Sequence, residues 1–185
     1  MSGDAEKIVS SELSTGEALI WSGRPRTGIR FTGADAFLIP FSLVWCGFAV
    51  FWEKSVLTRG GPDFFPLFGL VFVVVGLYIV GGRFIADAIR RGKTFYGLTP
   101  RRAIIVSGVF NRQVNSIDLG SLAELSVSER SDRSGTISLG ASSRVWGAGM
   151  MGPSWPGAAR YLPPAFEMIE DVKAVYEKIR EHRGK

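Results

Sequence analysis

Two uncharged apolar runs constrain this chain more than any other feature. Residues 36–52 read AFLIPFSLVWCGFAVFW and residues 64–82 read FFPLFGLVFVVVGLYIVGG, and the nearest charges are the flanking Asp35, Glu53, Asp63 and Arg83. Wound as helices they extend roughly 26 and 28 Å, close to the ~30 Å hydrocarbon core of a bilayer. A core helix of a soluble protein keeps a polar stripe on its outer face, and neither run has one. The pattern predicts two membrane-spanning helices. The first is short enough that Arg30 and Lys54 would snorkel to the interfaces. Pro40 and Pro66 fall near the start of each run, where a missing N–H costs little.

The connection, residues 53–63, contains Gly60, Gly61 and Pro62 and reads as a tight turn between antiparallel helices. Both flanks then lie on one side. Arg24, Arg26 and Arg30 precede the first helix; Arg83, Arg90, Arg91, Lys93, Arg101 and Arg102 follow the second; the connection holds only Lys54 and Arg59. The positive-inside rule puts both termini in the cytoplasm. The first apolar run starts far from Met1, so no cleaved signal peptide is expected. Ser42, Cys46 and Ala49 make a small-residue stripe that matches Gly69 and Gly76, and the two faces are expected to pack together. Phe51, Trp52, Phe64 and Phe65 suit an interfacial belt. Neither run contains an ionisable side chain, which argues against an ion or proton path.

Beyond Arg83 the pattern changes. FIADAIRR continues as a short amphipathic helix, and from Thr94 the segments TFYGLT, RRAIIVSG, RQVNSIDL, AELSVSER and GTISLG read as five strands separated by turn residues. Residues 141–163 form a Gly/Pro-rich loop. In residues 165–182 the side chains of Phe166, Ile169, Val172, Tyr176 and Ile179 fall on one helical stripe, which predicts a C-terminal amphipathic helix. The segments divide into an N-terminal segment (1–35), the two spans, and a β domain (83–185).

Antiparallel strands followed by one helix make a pleckstrin-homology (PH) arrangement. The chain resembles the bacterial PH-like family of membrane proteins, in which two transmembrane helices precede a PH-like domain. The residues carrying the likeness are Gly16-Glu17-Ala18-Leu19-Ile20-Trp21-Ser22-Gly23-Arg24-Pro25, Tyr96-Gly97-Leu98-Thr99, Arg101-Arg102-Ala103-Ile104-Ile105-Val106-Ser107-Gly108, Ser116-Ile117-Asp118-Leu119 and Gly135-Thr136-Ile137. The resemblance implies an α+β membrane protein of the bacterial inner membrane, a two-helix hairpin carrying a PH-like β-sandwich or barrel, and no particular reaction. Two further strands are needed; residues 18–23 and 28–32, or the loop 141–163, are the alternatives.

The net charge is +5, and seven basic residues lie between Arg83 and Arg112 against Asp87 alone. Arg83, Arg90, Arg91, Lys93, Arg101 and Arg102 either capture anionic headgroups or serve only as a topology signal. No module that reads nucleic-acid grooves follows the cluster. Trp146, Met150, Met151, Trp155 and Tyr161 on the Gly/Pro-rich loop suit a protein contact or a folded-back loop. One cysteine, Cys46, and one histidine, His182, give no basis for a disulfide, metal or His-dependent site. Residues 147–152 carry glycines but lack the Lys-Ser/Thr that closes a phosphate loop. The expectation is a non-enzymatic binding or scaffold module without cofactor. Its partners would be the bilayer and another membrane protein or a second copy, with an anionic-lipid sensor as the alternative.

Overall fold

A computed structural model describes residues 2–28, 31, 33, 35–60, 64–109, 111–141 and 162–183. In chain order the elements are α1 (Ser2–Ser10), β1 (Trp21–Gly23), α2 (Asp35–Arg59), α3 (Phe64–Leu77), a π-helical turn (Tyr78–Gly82), α4 (Arg83–Gly92), β2 (Phe95–Leu98), β3 (Arg102–Ser107), β4 (Gln113–Asp118), β5 (Leu125–Glu129), β6 (Gly135–Leu139), β7 (Ala165–Ile169) and α5 (Val172–Arg183). The chain is a mixed α+β protein with two antiparallel sheets and two long apolar helices.

Both long helices have the length and composition to cross a membrane: α2 has 25 residues, and α3, the π turn and α4 run on as one helix of 29. Helix α2 extends to Arg59, so the connection is shorter than residues 53–63. The small-residue faces meet as their spacing predicts. Ser42 and Ala49 on α2 and Gly69 and Gly76 on α3 are buried. A Cβ on Gly76 would stand 3.1 Å from the Cβ of Cys46, so glycine sets how closely the helices approach. The outward faces stay apolar and open, with Val44 75 % and Leu67 69 % exposed.

The first sheet has the order β1-β2-β3-β4 and the second β5-β6-β7. Strand β3 carries the sequence RAIIVS, apolar on both faces, and both faces are covered. Ala103 and Ile105 join Leu98, Ile137, Phe166, Ile169, Val172 and Ile179 in the core between the sheets. Ile104 and Val106 point the other way and pack against Val9 of α1. Helix α1 seats closely because Gly97 has no side chain; a Cβ there would lie 2.2 Å from Val9 Cγ1. Helix α5 covers the space between the sheets with Val172, Val175 and Ile179, at helical spacing i, i+3, i+7.

Three expectations need correction. The C-terminal helix does not begin at residue 165: Ala165–Ile169 is a strand paired with β6, and the helix starts at Val172. Met168 and Asp171 adopt φ of 52° and 44°. The left-handed turn at Met168 lets Phe166 and Ile169, three positions apart, both bury, which imitates a helical stripe. Second, the sheets do not close into a barrel. Among the described residues no ladder joins β1 to β7 or β4 to β5, and the backbone link between the first pair is Arg26 N–H to Met168 O at 2.8 Å. Third, of the open alternatives for the two further strands, β1 comes from within residues 18–23, while β7 comes from neither.

Candidate functional site

Helix α4 brings charged side chains onto one face at positions 83, 87, 90 and 91, the i, i+4 and i, i+7/8 spacing that shares a helical side. At its start Arg83 pairs with Asp35, the first residue of α2, at 2.5 Å, with both side chains 4 % exposed. Asp87 accepts from Arg91 at 2.9 Å and from Arg90 at 3.1 Å. Arg91 also donates to the backbone carbonyls of Arg26 and Gly28. Arg90 reaches Glu167 on β7 at 3.2 Å. The backbone N–H of Glu167 in turn donates to the Tyr96 hydroxyl at 3.1 Å. Burial, with Glu167 nearby, pushes the Tyr96 phenol up, so it stays a neutral hydrogen-bonding group. These contacts form a latch that ties the apolar hairpin, the residues before it and both sheets into one unit.

The six basic residues expected to capture headgroups are therefore not gathered into one open patch. Arg83 and Arg91 are buried in ion pairs, and Arg90 is one-third exposed and paired twice. Arg102 grips Glu17 with both nitrogens, Nε to Oε1 at 2.8 Å and Nη2 to Oε2 at 2.6 Å, and reaches the Glu12 carbonyl at 3.1 Å. The hydrogen bonds from Arg102 lead the forces that hold the Glu17 carboxyl at about 2, well below its usual 4.5, while burial opposes the shift. Lys93 and Arg101 are exposed and have no ion-pair partner among the described residues. The Tyr-Gly-Leu-Thr-x-Arg-Arg motif thus has a structural role. Tyr96 is core, Gly97 admits Val9, and Thr99 Oγ1 accepts the Arg102 N–H at 3.0 Å to close the β2–β3 turn. Trp146, Met150, Met151, Trp155 and Tyr161 lie outside the described residues.

The largest hollow in the described surface was not anticipated from sequence. A groove of about 720 Å³ runs between β1, with its continuation to Thr27, and the first turns of α5. Trp21 lines it. Its indole folds over Gly23, where a Cβ would come within 2.4 Å of the ring, and rests 5.6 Å from the Phe166 ring. Arg26 stands at the groove's end, tied to Asp132 at 2.7 Å and to Glu170 at 3.3 Å. Arg24 and Lys178 line the groove with no ion pair among the described residues. The available signal was Trp21-Ser22-Gly23-Arg24-Pro25, an aromatic, a glycine and a charge just ahead of the first apolar helix. A smaller apolar hollow of about 150 Å³ lies between α2 and α3, lined by Trp45, Phe48, Ala49, Trp52, Phe68 and Phe72. Among the described residues no three His, Cys, Asp or Glu side chains cluster to hold a metal ion. No family model, curated protein or solved structure matches this chain.

Proposed function

We propose that this chain is a membrane-anchored PH-like binding module of the bacterial inner membrane. Both termini lie in the cytoplasm, and the β domain is held at the bilayer surface to contact another membrane protein or a second copy. The PH-like reading draws support from seven strands in a four-plus-three arrangement with a terminal helix over the core. The observation that carries the function is the latch. Asp35–Arg83, Asp87–Arg91 and Arg90–Glu167 fix the domain's orientation to its anchor. A domain fixed this way presents the same surface at the same height above the bilayer, as a docking subunit requires. The same pairs weaken the lipid-sensor alternative, because they occupy cations that headgroups would need.

The test is co-purification. Full-length tagged protein, extracted in mild detergent and reconstituted in nanodiscs with or without phosphatidylglycerol, is expected to retain a stoichiometric protein partner or to self-associate in both lipids. A monomer without partner, whose compactness responds to phosphatidylglycerol and salt, would refute the docking role in favour of lipid sensing.

A further inference from the structure

The geometry points to the groove between β1 and α5 as a receptor for an extended peptide that carries an acidic side chain and adds as a strand beside β1. The inference rests on the docking role above and names its site and ligand class.

Strand β1 is the outermost strand of its sheet, so its far edge has no ladder partner among the described residues. Such an edge offers backbone N–H and C=O groups to any extended chain. Proteins blunt exposed edges by shortness and proline, and β1 is three residues long with Pro25 two positions on. Here the edge also lies within a groove, with α5 as the opposite wall. A second sheet cannot follow it there, but one extended segment can. At about 3.3 Å per residue the edge pairs with about 10 Å of peptide. The 720 Å³ of space falls within the range of built ligand sites.

The lining fits a peptide better than a flat surface would. Trp21 is braced from behind by Phe166 and from below by Gly23, which makes a rigid aromatic wall of the kind that anchors interfaces. On the α5 side Val175 is buried, and the exposed Ala174 is small enough to leave the space open. The charge balance selects the ligand. Glu170 is answered by Arg26, and Asp171 is the remaining acid, set against Arg24 and Lys178. The surplus is positive, which complements a carboxylate on the occupant. The groove's Thr27 end adjoins the backbone that Arg91 grips, only a few residues before α2 begins. The fitting occupant is therefore an acidic stretch of a partner protein close to its own membrane span.

A random heptapeptide display library panned against the full-length protein in nanodiscs is the probe. The selected peptides are then synthesised and titrated against wild type, Ala174→Trp and the pair Arg24→Glu/Lys178→Glu. The expected result is a shared β-prone sequence with an acidic residue, whose affinity falls at least tenfold in both variants while their melting temperatures match wild type. Failure to enrich peptides above empty nanodiscs would overturn the assignment, and so would affinities unchanged by Ala174→Trp. Loss of a wild-type dimer in Ala174→Trp would also overturn it, giving the groove to a second copy. A partner that still co-purifies with Ala174→Trp would reject the groove yet leave the docking role standing.

Discussion

Replacing Glu17 by Gln tests whether the Glu17–Arg102 clamp holds the N-terminal helix on the sheet. Arg102 on β3 bridges to Glu17 and to the Glu12 carbonyl, so it ties down the segment that leads out of α1. Holding a carboxyl at about 2 in place of 4.5 corresponds to about 3 kcal/mol of folded-state stabilisation at neutral pH. The pair sits near the surface, with side chains 12 % and 27 % exposed, and Gln still accepts a bond, so the expected loss is about 2 kcal/mol. The sign follows from a depressed carboxyl. The stabilisation is complete above the unfolded value of 4.5 and disappears as pH falls toward about 2. Hydrogen exchange at the α1 amides, with thermal melts in nanodiscs across that range, reads the effect. Wild type is expected to exceed Glu17→Gln at pH 7, and the two curves are expected to converge as pH approaches 2. Gly97→Ala loosens α1 by collision with Val9 instead, so its deficit should stay constant with pH. A Glu17→Gln deficit that is absent at pH 7, or constant over the range, would refute the clamp.

Two further outcomes follow from the anchor. Arg83→Ala or Asp35→Ala alone leaves a buried charge and is expected to cost about 3–5 kcal/mol in melts of the detergent-solubilised protein, while Asp35→Leu with Arg83→Met together should cost much less; equal losses in single and double variants would count against a buried pair. In a Cys46→Ser background, a cysteine at Arg59 should react with an impermeant maleimide in intact cells, and one at Ser131 only after the membrane is opened; the opposite pattern would invert the topology.

The apolar helices were legible because hydropathy alone specifies them, and the facing of Ser42, Cys46 and Ala49 with Gly69 and Gly76 followed from residue size. The five strands from Phe95 to Leu139 were legible because each alternates or runs apolar between turn residues. Strand β7 was not, because the left-handed Met168 gives a strand the spacing of a helix. Helix α1 was not, because nine residues with little more than Ala5, Ile8 and Val9 to bury carry almost no periodic signal; it exists because the outer face of β3 needs cover. The basic cluster was legible as composition but not as a site, since pairing with Asp35, Asp87, Glu167 and Glu17 depends on contacts distant in sequence. The groove depends on β1 meeting α5 across almost the whole chain, which no local pattern reports.

The π turn at Tyr78–Gly82 works as a phase shifter. There the Arg83 N–H donates to the Tyr78 carbonyl, five residues back, so the helix takes in one residue more than an α-helix would. Each residue turns an α-helix by about 100°. The wide turn therefore sets the azimuth of Arg83, Asp87 and Arg91 independently of the face that Gly69 and Gly76 turn toward α2. One continuous rod can then serve two neighbours that lie at different compass bearings around it. Deleting a single residue from Tyr78–Gly82 would leave hydropathy and span length almost untouched, yet swing the charged face by about a quarter of a circle, away from Asp35 and the carbonyls of Arg26 and Gly28.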